Sequence, residues 1–296
     1  MVKPAIGLAL GSGGARGWCH IGVLRELDAM GIAAQVVAGS SMGALVGAAF
    51  AAGKLDALED WARGLTMRTL LPLIDMRITG GGLVGGEGIL RMLNGLGLPA
   101  AIGDLALPFV AVATDLRHGR EVWLREGDLV AAVRASVSIP GLLRPQWLNG
   151  RWLIDGGVVN PVPVSAARAL GAETVIAVNP NAAVNEGFWE PGESLPGFPD
   201  FSSLLPEKLR MLWARDGADT PDSAEPSYVA LVNAAIDIMS DQIRRSRLAG
   251  DPPHVLLGAR LGGVSAVDFH RAAECIDEGR RIVRMHADQL AAVSGL

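Results

Sequence analysis

Gly39-Ser40-Ser41-Met42-Gly43 is the segment of this sequence best suited to chemistry. It fits G-x-S-x-G, a turn that holds a serine at a strained tip between a strand and a helix. The flanking glycines Gly39 and Gly43 let strand and helix approach closely. The start of the helix offers N–H groups and a positive end to developing negative charge, worth about 0.3–1 kcal/mol. Ser41 takes the nucleophile position and Ser40 the first variable one. The plainer alternative is a packing turn whose serines only cap the helix.

A second Gly-rich stretch, Leu10-Gly11-Ser12-Gly13-Gly14-Ala15-Arg16-Gly17, also lies between an apolar run and a helical pattern. A dinucleotide fingerprint fails because, counting from Gly11, Arg16 stands at the last glycine position, and no acid ends the second strand. A P-loop fails because no Lys-Ser or Lys-Thr pair follows. An oxyanion hole fits best, with backbone N–H groups aimed at one point beside Ser41; losing one such donor costs about 10²–10³ in rate. Arg16 either braces this loop or contacts an acidic substrate group.

The third stretch, Leu153-Ile154-Asp155-Gly156-Gly157, places a carboxylate at a strand end, where open α/β sheets bind ligands. An ordinary Asp-Gly turn is the bland alternative. A hydrolase triad in the usual chain order would need a later histidine, and His254, His270 and His286 are the candidates. None lies on a loop with a catalytic cue. His118 precedes the acid and sits in a hairpin-like turn. Cys19 reads as a small buried helix residue. No His-Glu-x-x-His or Cys-x-x-Cys spacing occurs, which disfavours a metal hydrolase; no metal or cofactor is expected.

Short apolar runs that alternate with helical patterns must position these residues. Strands are expected at Ile6–Leu10, Gln35–Ala38, Phe109–Ala113, Glu121–Leu124, Trp152–Ile154, Thr174–Val178 and Pro253–Leu257. Helices are expected at about Trp18–Met30, Ala44–Ala52, Leu129–Val137, Val164–Leu170 and Val267–Val293. Such alternation indicates an α/β fold with a parallel sheet covered on both faces. Val229, Val232, Ile236, Met239 and Ile243 recur at helical spacing, and the stripe reads as core packing. Val36 to Gly53 is 18 residues without a charge, long enough to nominate a membrane span. The preferred reading divides it into a strand, the Gly-Ser-Ser-Met-Gly turn and a buried helix. The apolar run Ala5–Leu10 is too short for a secretory signal.

The segment at about 180–226 differs from the rest. It holds seven of the 17 prolines and nine acidic against three basic residues, so it reads as a surface excursion with one helix near Glu207–Trp213. Phe188, Trp189, Phe198, Phe201 and Trp213 either form an apolar surface for a lipid interface or cover the core.

The 296 residues are half hydrophobic and 19% charged, enough for a large core and incompatible with global disorder. Net charge is −5, which argues against a nucleic-acid binder relying on a basic surface. Two cysteines, Cys19 and Cys275, cannot build a disulfide framework and suit a reducing compartment.

Taken together, the sequence resembles the bacterial patatin-like phospholipase family, most closely its RssA-type branch. The Gly-rich loop, Gly39 to Gly43, Ala113-Thr114-Asp115-Leu116, Ser136-Val137-Ser138-Ile139-Pro140-Gly141 and Asp155-Gly156-Gly157 carry the resemblance, in that order. It implies a three-layer α/β/α sandwich with a mainly parallel central sheet, the whole of 1–296 forming one hydrolase domain. It also implies a Ser–Asp dyad without histidine, in which Ser41 is the nucleophile and Asp155 its partner. Backbone around Gly13, Gly14, Ala15 and Arg16 would form the oxyanion hole. Ser12 departs from the pattern, standing where many relatives have the first glycine of the loop; a serine fits if its φ stays below zero.

A carboxylate of ordinary pKa, about 4, is a weak base at neutral pH, so such a dyad suits esters better than amides. The expected activity is hydrolysis of acyl esters of lipids by a cytoplasmic protein, with peripheral membrane contact as an option. An acyltransferase on the same scaffold and a non-catalytic regulatory binding protein are the rival classes. The sequence gives no oligomeric state.

Overall fold

The computed structural model describes residues 5–70, 82–84, 87–182 and 228–295. The expected helix at Glu207–Trp213 and the aromatics between Phe188 and Trp213 lie outside the described residues. In chain order the strands are β1 (Ile6–Leu10), β2 (Val36–Ser40), β3 (Gly82–Val84), β4 (Phe109–Asp115) and β5 (Arg120–Leu124). They continue as β6 (Gly141–Leu143), β7 (Gln146–Leu148), β8 (Arg151–Asp155), β9 (Thr174–Asn179) and β10 (Val255–Gly258). The helices are α1 (Cys19–Ala29), α2 (Met42–Ala51), α3 (Leu55–Arg63), α4 (Met67–Leu70) and α5 (Glu87–Gly95). After them come α6 (Leu129–Ser136), α7 (Val164–Ala169), α8 (Tyr228–Gly250), α9 (Ala272–Met285) and α10 (Ala287–Ser294).

Eight strands form the main sheet in the order β10-β9-β1-β2-β4-β8-β7, with β5 also paired to β4. From β10 to β4 every pairing is parallel. β1, β2, β4 and β9 are buried along their whole length, which is why they read as unbroken apolar runs. Alternate residues serve opposite faces: Leu8 and Leu10 enter a large core with α1, α2 and α6, while Ala9 joins a smaller one with α7. Helices therefore cover both faces, as expected of a three-layer sandwich. The remaining pairings, β4–β5, β4–β8 and β7–β8, are antiparallel, so the sheet changes character at one end.

Three expectations need correcting. The closing helix breaks: a short 3₁₀ turn at Phe269–Arg271 leads into α9, which ends at His286 before α10. The apolar stripe on α8 is not core throughout, since Ile236 and Ile243 are only half-buried and Met239 is 56% exposed. The hairpin of β7 and β8 adds a strand where none was expected. Val36–Gly53 divides into β2 and α2 as preferred, and among the described residues no helix is long and apolar enough to cross a membrane.

Candidate active site

β4 acts as a ruler. One of its edges pairs with β5 from Ala111 to Asp115. The other edge is shared by two strands in succession: β2 runs parallel and ends with Ser40 opposite Val112. β8 arrives antiparallel and ends with Asp155 opposite the next residue, Ala113. Two carboxyl ends therefore meet head-on along one strand, which brings Ser41 and Asp155 together although they are 114 residues apart.

Ser41 has φ 55° and ψ −123°, and it and Asn149 are the only non-glycine residues at positive φ among those described. Such a conformation costs a serine about 1–3 kcal/mol and persists only where its surroundings enforce it. Enforcement comes from the neighbours. A Cβ on Gly39 would stand 2.4 Å from Ala44 Cα, and one on Gly43 would stand 2.0 Å from Leu10 O. The Ser41 amide donates to Ser136 Oγ at 2.9 Å, and that hydroxyl donates to Val112 O at 2.6 Å. Ser136, at the end of α6, thus ties the turn to β4. Replacing it with Ala leaves two buried backbone groups unpaired and should cost about 2 kcal/mol. Thermal denaturation of Ser136→Ala is expected to show this as a lowered Tm, with Ser136→Thr recovering most of it.

Asp155 is fixed at both backbone ends: its N–H donates to Ser138 O at 3.0 Å and its C=O accepts from Thr114 Oγ1 at 2.7 Å. Its Oδ1 accepts from the Gly157 amide at 2.7 Å, and its Oδ2 accepts from Ser41 Oγ at 2.5 Å. Both residues are buried, Ser41 2% and Asp155 5% exposed. Burial pushes the Asp155 carboxyl up to about 6, against the opposing pull of the bonds from Ser41 and Gly157. The ordinary value near 4 assumed from sequence does not hold, because desolvation outweighs both hydrogen bonds.

The Gly-rich loop closes over this pair. A Cβ on Gly157 would stand 2.7 Å from Ser12 Oγ and 3.0 Å from Asp155 Oδ1, so loop and acid turn are in contact. One on Gly17 would meet Met42 Cβ at 2.4 Å, placing the loop against the first turn of α2. Ser12 does not adopt positive φ, whereas Gly14 does at 54°. Of the four residues expected to supply donors, Ala15 gives its N–H to Ala266 O (2.8 Å) and Arg16 gives its N–H to Gly13 O (3.2 Å). The amides of Gly13 and Gly14 have no acceptor among the described residues. Arg16 is a brace: its Nε donates to Val264 O at 2.6 Å and Nη1 to Asn181 Oδ1 at 3.1 Å.

Among the described residues, no histidine is hydrogen-bonded to Ser41 or Asp155. His118 pairs with Asp115, His254 accepts from the Val175 amide, and His286 contacts Ile282 O. His270 lies on the 3₁₀ turn. Sequence reasoning passed over His20, which is wholly buried with Nε2 2.8 Å from Gly11 O. Burial lowers its pKa to about 4, so it is neutral and Nε2 carries the proton donated to the loop. It also passed over the part played by Ser136, although the segment Ser136–Gly141 stood out. Cys19 and Cys275 are free and buried.

The comparison with known proteins turns on residues 8–168, which match the profile of the patatin-like phospholipases and span β1 through most of α7. The chain belongs to the patatin-like phospholipase family. An uncharacterized NTE family protein of Mycobacterium tuberculosis is 34% identical over 95% of this chain and 90% of its own length. The human patatin-like phospholipase domain-containing protein 6 is also 34% identical, over 74% of this chain but 16% of its own length. VipD from Legionella pneumophila overlays with TM-score 0.45 and 15% identity, covering 99% of this chain and 67% of VipD. The RssA-type branch expected from sequence is not confirmed by these relatives.

Proposed function

We propose that this patatin-like protein is a serine acyl hydrolase that cleaves acyl esters of lipids, using Ser41 and Asp155 as a dyad. The observation that carries the reading is the buried 2.5 Å hydrogen bond from Ser41 Oγ to Asp155 Oδ2, made by a serine held at positive φ. Membership of a phospholipase family supports the lipid hydrolase class, and two relatives over 30% identical carry NTE and phospholipase names.

Ser41 Oγ attacks the ester carbonyl as its proton passes to Asp155 Oδ2. The carbonyl oxygen becomes an oxyanion, for which the unengaged amides of Gly13 and Gly14 are the donors. Collapse breaks the ester C–O bond, and Asp155 returns the proton to the departing alkoxide, releasing an alcohol and leaving Ser41 acylated. Water then attacks the acyl group, Asp155 takes its proton, and the second collapse frees the acid and returns the proton to Ser41. A carboxyl at about 6 is mostly ionised at neutral pH yet holds a proton better than an exposed one, which suits both halves of the cycle. Esters remain the favoured substrates, because an alkoxide needs less help to leave than an amide nitrogen.

A fluorophosphonate probe followed by peptide mass spectrometry tests the assignment. Labelling is expected at Ser41 alone, disappearing in Ser41→Ala together with hydrolysis across a panel of phospholipids and lysophospholipids. Folded wild-type protein that resists the probe would overturn the hydrolase reading in favour of a non-catalytic binding protein.

A further inference from the structure

The β7–β8 hairpin turns through Asn149 and Gly150, both at positive φ, the two-residue turn that matches strand twist. Because β4 ends at Asp115, opposite Leu153, residues 147–152 project past the carboxyl edge of the sheet, the edge that holds the dyad. Trp147 and Trp152 face each other there with ring centroids 5.1 Å apart. Their register places them on the sheet face that α7 covers further along. Trp147 is 53% exposed, Trp152 51% and Leu116, bonded through its amide to Trp152 O, 52%.

Three arginines stand at the same end of the sheet, Arg120 (opposite Asp115) and Arg151 (opposite Leu148) on the other face from the tryptophans. Arg117, Arg120 and Arg151 are all exposed. Arg117 and Arg120 have no ion pair among the described residues, and Arg151 reaches only Asp115, at 4.0 Å, which His118 already engages. Glu121, opposite Thr114 and so on the tryptophan face, is held by Arg247 and Asn160. This local positive surface occurs on a chain of net charge −5. A sheet end with tryptophans on one face and arginines on the other suits the boundary of a bilayer met end-on, where the rings lie among headgroups and the guanidiniums meet phosphate.

We propose that this end of the sheet, carrying Leu116, Trp147 and Trp152 with Arg117, Arg120 and Arg151, docks the protein on bilayers containing anionic phospholipid. Trp152 is three residues from Asp155 along one strand, about 10 Å at ~3.3 Å per residue, so docking here brings the dyad to the headgroup level. The proposal rests on the lipid hydrolase reading for the reason a bilayer is met, and its test does not depend on catalysis.

Flotation of the full chain with phosphatidylcholine vesicles, with and without phosphatidylglycerol, is the experiment. Wild-type protein should float with the anionic vesicles and be released by high salt. Arg117→Gln/Arg120→Gln/Arg151→Gln should lose on the order of 100-fold in partitioning. Trp147→Ser/Trp152→Ser should lose about tenfold or more. Both should hydrolyse a water-soluble monomeric ester at the wild-type rate. The arginine variant changes only exposed side chains and keeps the test valid if the tryptophan variant folds poorly. Equal binding to neutral and anionic vesicles, or variants that float as wild type does, would overturn the proposal. So would a tryptophan variant that turns a dimer into a monomer, which would mark the face as a contact between copies. Vesicle binding with no ester hydrolysis would count against the hydrolase reading and leave the docking surface standing.

Discussion

Asp155→Asn should abolish hydrolysis and at the same time make the protein more stable. Losing the base is expected to lower kcat/KM by about 10⁴-fold, the scale seen when an aspartate essential to a serine hydrolase is neutralised. The stability effect has the opposite sign. The folded-state pKa of Asp155, about 6, lies above its unfolded value of 3.8, so the folded state binds the proton more tightly. The stability this confers is complete below the unfolded value and is lost as pH rises through about 6. At neutral pH the fold therefore carries an ionised, desolvated carboxylate at a cost of about 3 kcal/mol, two pKa units at 1.36 each. Asparagine keeps both hydrogen bonds, accepting from Gly157 and donating to Ser41 Oγ, without the charge. The variant should melt several degrees higher than wild type at pH 7.5, with the gain shrinking towards pH 5. Wild-type kcat/KM should rise with pH and level off above about 6. A lower Tm for Asp155→Asn at pH 7.5 would show that burial does not dominate at this carboxyl.

Gly43→Ala should be the most damaging small substitution near the site. The added Cβ would lie 2.0 Å from Leu10 O, 2.4 Å from Leu10 C and 2.8 Å from Gly11 O, all of them backbone. That backbone cannot withdraw, because the Gly11 and Ser12 amides are bound to Val178 O and Pro161 O. Instead α2 must move away from the loop by about 1 Å, a displacement that costs about 10²-fold in rate when it misplaces a reacting group. A stability loss of about 3–5 kcal/mol and a Tm fall of about 10 °C are expected. Gly53→Ala is the control: its φ is 65° with nothing within 4 Å of the new Cβ, so it should cost only about 1 kcal/mol.

The central strands were legible because each is buried on both faces, which leaves an apolar run with no polar interruption. Ser41 and Asp155 were legible for a different reason: tight turns need glycine, and glycines beside a serine or an aspartate leave a mark in sequence. The β7–β8 hairpin carried a comparable mark in Asn149-Gly150, but its strands are too short to show alternation. Ser136 was named only as part of a motif, since nothing local shows that its hydroxyl spans Ser41 and Val112; that follows from α6 ending beside β4. The raised pKa of Asp155 was illegible because it depends on what surrounds the carboxyl. That the Ala15 amide is engaged, unlike those of Gly13 and Gly14, likewise turns on Ala266, some 250 residues downstream. On α8 the helical spacing was right, but spacing does not reveal how deeply a face is buried.

The shared edge of β4 also says which changes a lineage of such proteins can absorb. Ser41 and Asp155 are aligned by where two strand ends abut, and that alignment is indifferent to the length of chain running between them. Extra residues at a surface position such as Gly103, where a new side chain meets nothing, leave Ser41 and Asp155 in place. Slipping β8 by one residue against β4 would instead carry Asp155 about 3.3 Å and turn its carboxylate to the opposite side of the sheet. Intervening segments are thus free to diversify, while backbone register stays the invariant on which the meeting of Ser41 with Asp155 depends.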